Sequence, residues 1–453
     1  MDLARRGGLG VWRNRTTFVL ALSASAVGVG SLWRFAYLAG AHGGAAFMLS
    51  YVFFLFLLAV PMMVAEVAIG SHGRGSPAGA LRWACDRSLL TRGWTLLGVL
   101  ACVTGLLLLG CYVVVAGWSL AYASFMQQGL FAAASALQVS QQYSDLLADP
   151  SQQFYWLTLF LLPVVTAVTL GVRRGVGLLV WLVVPLLLLI LAALVKFALD
   201  TGDLAATREF LFTPKWVDFT HESMLLAMGH AFYTLGIGVG TGISYGGYAP
   251  KRIPVGRSVM AVAVLDTVIA LLVGIAVFPV VFAANLEPSM GPGLLFISLP
   301  YAFGNIAQGE LFGTLFFLLM VVAALGAAVA VLEPIVATLI QHLGLRRPLA
   351  ALLAGVLVWL LGLAIILSYA ELGAPQWFGN RNLLPILDYL TAAVLLPLVV
   401  LLTAILVGWR LRPQILRVQL GRESVWFFSL WRALVRYAVP AALVTLMAAA
   451  ALQ

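Results

Sequence analysis

Charge is what this chain has least of. Only 9% of its 453 residues are charged, and acidic side chains number 17. A soluble domain carries about 25% charged residues, so a water-soluble globular module is excluded. Cysteine is nearly absent too. Cys85, Cys102 and Cys111 are an odd set without CxxC spacing, which implies neither a disulfide framework nor a cysteine metal site. No nucleophile–base pair or metal-ligand constellation stands at matched depth, so enzyme chemistry is not expected. A signal-peptide cleavage pattern is also missing, and the first apolar run reads as a membrane span.

What remains is largely hydrocarbon. Hydrophobic residues make up 62% of the chain, and the mean hydropathy is +1.04. Runs of spanning length fall at 16–37, 45–69, 95–123, 155–173, 175–199, 223–247, 255–284, 308–341, 349–370, 383–408 and 434–452. These predict an all-α integral membrane protein of 11 helices, with its termini on opposite sides.

The net charge of +9 is placed for a membrane, not for nucleic acid. Arg5, Arg6, Arg13 and Arg15, then Arg74, Arg82, Arg87 and Arg92, then Arg173 and Arg174 fall on one side. Lys251, Arg252 and Arg257, then Arg346 and Arg347, then Arg410, Arg412, Arg417, Arg422, Arg432 and Arg436 join them. The opposite loops hold only Arg208, Lys215 and Arg381. By the positive-inside rule the N-terminus is cytoplasmic and the C-terminus extracytoplasmic, in a multi-pass protein of the cell's inner (plasma) membrane.

Two helices depart from a plain apolar span. The stretch 18–47 fills its middle with Ser23, Ala24, Ser25, Ala26, Gly28, Gly30 and Ser31, and Arg34 follows. Glycine is a poor helix interior, and a loosened turn at membrane depth needs shelter in protein or a polar cavity. An intramembrane arginine costs at least about 2.5–3.5 kcal/mol and calls for a partner. Small residues also serve close helix packing, but beside Arg34 a broken helix lining a site is the better reading. Helix 6 repeats the signature in MGHAFYTLGIGVGTGISYGGY (228–248). An interval of five spans inverts topology, and broken helices in matching places of inverted halves point to a transporter's midplane site. The expected division is a cytoplasmic segment 1–15, a first repeat 16–199, an outer loop 200–222 and a second repeat 223–408. A cytoplasmic loop 409–433 and helix 11 at 434–453 complete it.

SAVGVGSLWRF (25–35), GGAAF (43–47), GHAFYTLGIGVG (229–240), GPGLLF (291–296) and LEP (332–334) together resemble the neurotransmitter:sodium symporters. The likeness is to their bacterial, leucine-transporter-like amino-acid branch, and it runs in order over roughly residues 12–410. It implies the LeuT-like 5+5 inverted repeat with helix 11 appended. It also implies symport of a small-molecule amino acid by alternating access.

Several residue roles follow from the resemblance. Ala26, Gly28, Gly30 and Tyr112 would hold the substrate's backbone end, an anion cradled by free amides. Leu108, Tyr233, Thr234, Gly236, Val239, Ala327 and Val331 would line the rest. Gly28 stands where amine-transporting relatives carry aspartate, so a neutral, hydrophobic or aromatic amino acid is expected. Arg34 and Asp388 would form the outer gate with Tyr233 as lid. Trp12, Tyr245 and Tyr248 would close the cytoplasmic side. There Leu9 and Gln341 replace the usual charged partners, leaving Arg5 or Arg6 as candidates.

A first sodium site would use Ala26, Ser31, Thr234 and Asp266, oxygen donors suited to a hard cation. At the second, Gly326 and Ala327 replace two hydroxyl residues. Only the carbonyls of Ala24, Val27 and Ala323 remain, and that site is expected vacant. Chloride is not expected, given Asp266 and Ala270. Na⁺ is the expected coupling ion, no organic cofactor is implied, and Asp266 with His230 offers a proton-linked alternative. A proton-coupled or sodium-independent carrier is therefore the second reading, ahead of a sensor or channel on the same scaffold. Glu66 and Glu333 read as structural partners for the freed amides of helix 6, and Lys196 as a snorkelling side chain.

Overall fold

The computed structural model describes residues 9–28, 30–250, 253–286, 294–369 and 382–452, the side chains of Ser31, Trp33, Asp218, Gln419 and Leu452 excepted. No strand occurs among the described residues. Among the described residues, nine helices are individually long and apolar enough to cross a membrane: Ala45–Gly73, Arg92–Gln127, Pro150–Thr169, Val172–Thr201, Val255–Ala283, Gly309–Leu343, Arg347–Leu367, Leu383–Arg410 and Val425–Ala451. They are helices 2–5 and 7–11. The other two crossings are the interrupted ones, too short in either half to qualify alone. Helix 1 runs Arg15–Ala26, breaks, and resumes as Gly30–Arg34 and Phe35–Ala41. Helix 6 runs His221–Thr234, breaks, and resumes as Thr241–Gly247.

Local chemistry explains where these halves begin and end. Asn14 caps helix 1, its side chain accepting from the Thr17 amide at 2.8 Å, a standard way to satisfy a first-turn donor. Thr220 and Ser223 form a reciprocal capping box at the start of helix 6. The helix 6 break is carried by Gly236, Gly238 and Gly240, at φ of 63°, 88° and 79°. Only glycine enters this left-handed region without a Cβ penalty.

Helix 8 (Gly309–Leu343) is the central strut, packed along helix 3 and against both broken helices. Lys196 pairs with Asp200 at 3.0 Å, both side chains exposed. Between helices 7 and 8 the chain folds as two short helices, Leu294–Ser298 and Leu299–Gly304, while 287–293 lies outside the described residues. Helix 11 differs from expectation. It starts at Val425 rather than 434, because Ser424 caps it by accepting from the Phe427 amide at 3.1 Å. The amphipathic first turns, with Trp426 and Arg432, hid this start from an apolar-run criterion.

Candidate functional site

The two breaks meet near the middle of the bundle. Helix 6 loses its regular bonding at Gly236–Gly240, and Glu66 of helix 2 repairs part of it. Glu66 Oε1 accepts the Gly238 amide at 2.8 Å, and the carboxylate is buried. Helix 2 can approach this closely because Gly242 has no side chain. A Cβ there would lie 2.5 Å from Glu66 Oε2.

One closed cavity of about 50 Å³ lies between the breaks. Its walls include every residue expected to touch substrate: Ala26, Gly28, Gly30, Leu108, Tyr112, Tyr233, Thr234, Gly236, Val239, Ala327 and Val331. Ser25 and Leu109 complete it. A Cβ on Gly28 would stand 2.7 Å from the Tyr112 hydroxyl and 2.9 Å from the Ala327 methyl. The phenol therefore occupies the space that a larger residue 28 would need. Apolar walls, the phenols of Tyr112 and Tyr233 and the polar backbone of two helix ends suit a molecule with a charged backbone end and an apolar side chain.

Above it lies a vestibule of about 260 Å³, sharing Gly30, Leu108, Tyr112 and Tyr233 with the closed cavity. Arg34 and Asp388 both line it, with Tyr37, Trp118, Tyr143, Phe296 and Tyr369. The Arg34 guanidinium sits over the Tyr233 ring at 4.8 Å, a favourable cation–π placement. Among the described residues no ion pair within 4.0 Å joins Arg34 to Asp388. The two charges face a shared space, with the guanidinium resting on the lid ring. Tyr143 comes from the outer helix Ala136–Ala148. Burial pushes its phenol up to about 12, so it stays a neutral group at the vestibule wall.

Below the lid, Asp266 of helix 7 is fully buried. It accepts from the Tyr51 hydroxyl at 2.8 Å and from the Thr234 hydroxyl at 3.1 Å. The Ala26 carbonyl ends the first half of helix 1 and accepts from the Gly28 amide at 3.0 Å, and the Ser31 side chain lies outside the described residues. Carboxylate, hydroxyl and carbonyl oxygens are the donor types a hard cation takes. Tyr51 was not expected in this group. A lone tyrosine in an apolar helix 2 gives no signal of its partner 215 residues away. His230 is buried, with neither ring nitrogen hydrogen-bonded, and packs against Phe35 and Tyr51. It makes no hydrogen bond to Asp266. Ala24, Val27 and Ala323 are buried where helices 1 and 8 cross.

The basic face is closed. Trp12 is buried, its indole N–H donating to the Tyr245 carbonyl at 3.1 Å and its amide to the Tyr248 carbonyl at 2.9 Å. The charged partner comes from an unexpected place. Arg347, at the start of helix 9, donates to Glu333 of helix 8 through two nitrogens, at 2.7 and 2.9 Å. The same guanidinium reaches the Leu9 carbonyl at 3.3 Å, and the Tyr248 hydroxyl donates to Glu333 at 2.8 Å. Glu333 is thus corrected from a partner of helix 6 amides to the acid of a buried ion pair. Gln341 instead accepts from the Ser76 amide at 2.8 Å. Arg5 and Arg6 lie outside the described residues. The missed signal was a single arginine in a basic loop, which the positive-inside rule had already explained away.

Comparison with known proteins agrees with this layout. The model of the sodium:neurotransmitter symporter family matches residues 9–142 and 129–453. The sodium-dependent transporter YhdH of Bacillus subtilis (strain 168) is 32% identical over 437 residues, covering 96% of either chain. A sodium-dependent transporter of Haemophilus influenzae is 25% identical over 438 residues, covering 95% of each. The crystal structure of MhsT in complex with L-phenylalanine superposes with a TM-score of 0.88 at 34% identity, covering 97% of this chain and 99% of that one.

Proposed function

This chain belongs to the sodium:neurotransmitter symporter family, a family of membrane transporters rather than enzymes with the LeuT-like fold; on that premise we propose that it carries a neutral, apolar or aromatic α-amino acid inward with Na⁺. The observation that carries the reading is the closed cavity between the two helix breaks, walled by Tyr112 and apolar side chains. The substrate carboxylate meets the loosened amides of helix 1 and the Tyr112 hydroxyl, and its side chain enters the space left by Gly236, Val239 and Ala327. The cavity in this state is smaller than such a side chain, so Tyr233 and its neighbours shift as substrate descends from the vestibule. The similarity to a structure holding L-phenylalanine supports the substrate class.

Na⁺ would be held by Asp266, Thr234, Ser31 and the Ala26 carbonyl, beside the substrate's backbone end. Its charge offsets the buried carboxylate. Asp266 and His230 are the groups a proton-coupled version would use, and the lack of a hydrogen bond between them favours Na⁺. Alternation pairs an outer gate at Arg34, Asp388 and Tyr233 with an inner one at Trp12, Tyr245 and Tyr248, locked by Glu333–Arg347. Orientation follows the basic face inward.

A scintillation proximity competition panel tests the substrate class. Bulky neutral L-amino acids are expected to displace radiolabelled L-phenylalanine only when Na⁺ is present. Equal displacement by amines lacking a carboxylate would overturn the assignment.

A further inference from the structure

The crossing of helices 1 and 8 departs from what the family leads one to expect. The first half of helix 1 ends at Ala26, and the Gly28 amide turns to the Ala26 carbonyl at 3.0 Å instead of reaching Ala24. In other family members the resemblance places a second cation here, held by helix 1 carbonyls and two hydroxyls of helix 8. In this chain those positions are Gly326 and Ala327. The loss is of space as well as of oxygens. A Cβ on Gly326 would lie 2.8 Å from the Ala24 carbonyl oxygen and 3.0 Å from its methyl. On the other side of the break, a Cβ on Gly28 would lie 2.9 Å from the Ala327 methyl. Glycine brings the two helices close at both points, against the Ala24 carbonyl at one and the Ala327 methyl at the other.

We infer that this crossing is a dry, glycine-packed joint with no second cation site, so that the transporter couples through the Asp266 site alone. The inference rests on the reading of Asp266 as a sodium site only for its second clause.

The remaining donors do not rebuild the site. Ala24, Val27, Ala323, Gly326 and Ala327 are buried and supply no side-chain oxygen. The Ser25 hydroxyl turns back to the Leu22 carbonyl at 2.7 Å. The buried Ser23 hydroxyl has no partner, but one residue of helix separates its direction from that of Ala24 by about 100°. A cation placed among these groups would exchange its water for a few neutral carbonyls in a low-dielectric interior, a poor trade. Close glycine packing does the joining instead, as small residues do between membrane helices. Helix 1 can therefore dock on helix 8, and leave it, without binding or losing an ion there.

Equilibrium ²²Na⁺ binding to the purified full chain, with and without L-phenylalanine, tests this directly. The wild type is expected to saturate at about one ion per chain. Asp266→Ala, which leaves no side-chain oxygen, should abolish that binding, and Ser23→Ala should leave it unchanged. Two ions per wild-type chain, or one retained in Asp266→Ala, would overturn the inference. No bound ion in the wild type would instead refute the Asp266 sodium reading and leave the dry joint standing. Because Asp266→Ala could misfold, Gly326→Thr offers a second arm. It is expected to lower thermal stability, since its Cβ meets Ala24, without adding an ion. A stable Gly326→Thr protein that binds one more ion than wild type would contradict the close packing.

Discussion

Replacing Arg347 by alanine strips the guanidinium from Glu333, whose side chain is only 1% exposed, while the Arg347 side chain is 14% exposed. The remaining carboxylate would keep the Tyr248 hydroxyl at 2.8 Å but lose both charged donors. Leaving one member of a buried pair uncompensated costs roughly 3–5 kcal/mol. The partial exposure of Arg347 and its position at a helix end argue for the lower part of that range. The reverse change, Glu333→Gln, is milder. It retains an oxygen for Tyr248, and Arg347 can swing toward water at the basic face, so the loss approaches that of charged hydrogen bonds, about 1.5–3 kcal/mol. The ordering is therefore Arg347→Ala worse than Glu333→Gln, with the double variant Arg347→Ala/Glu333→Gln recovering part of the loss. Thermal denaturation in detergent measures the ordering. Labelling of Cys102, which is buried and bonded to Thr338 at 3.3 Å, measures opening of the basic face and should accelerate in Arg347→Ala. Equal losses for the two single variants, or strict additivity in the double, would refute the latch.

Three further outcomes are expected. Tyr112→Phe should weaken amino-acid binding by about 1–3 kcal/mol, the cost of an unpaired buried polar group, measured by calorimetry; an unchanged affinity would remove the phenol from the site. Gly28→Asp should lose amino-acid binding without gaining amines, because its Cβ would strike the Tyr112 hydroxyl and overpacking costs about 1–3 kcal/mol; high-affinity amine binding in that variant would contradict the geometry. Arg34→Ala and Asp388→Ala should be coupled, since both charges line one vestibule; strict additivity in a double-mutant cycle on stability would count against the pairing.

Much of this architecture was readable from composition and spacing. A lipid-facing chain cannot hide a stretch like SASAVGVGS or LGIGVGTG, so both breaks were visible where they occur. The place of Glu66 against the helix 6 break followed from the family resemblance, and its carboxylate accepts the Gly238 amide there. Arg347 and Tyr51 were not. A basic residue in a basic loop and a tyrosine in an apolar helix are each explained without a partner, and only tertiary packing brings them to Glu333 and Asp266. The early start of helix 11 was hidden because its first turns are amphipathic rather than apolar. Neither could sequence disclose how near Gly326 comes to Ala24; it indicates missing hydroxyls, whereas the missing room is a property of the packed backbone.

The central claim is that the cavity between the broken helices moves an amino acid with Na⁺. Purified protein in proteoliposomes, given radiolabelled L-phenylalanine and either an inward Na⁺ gradient, an inward H⁺ gradient or neither, tests it most directly. Accumulation above equilibrium with the Na⁺ gradient alone, abolished by Asp266→Ala, is the predicted result. Equal accumulation without Na⁺, or accumulation driven only by H⁺, would contradict it.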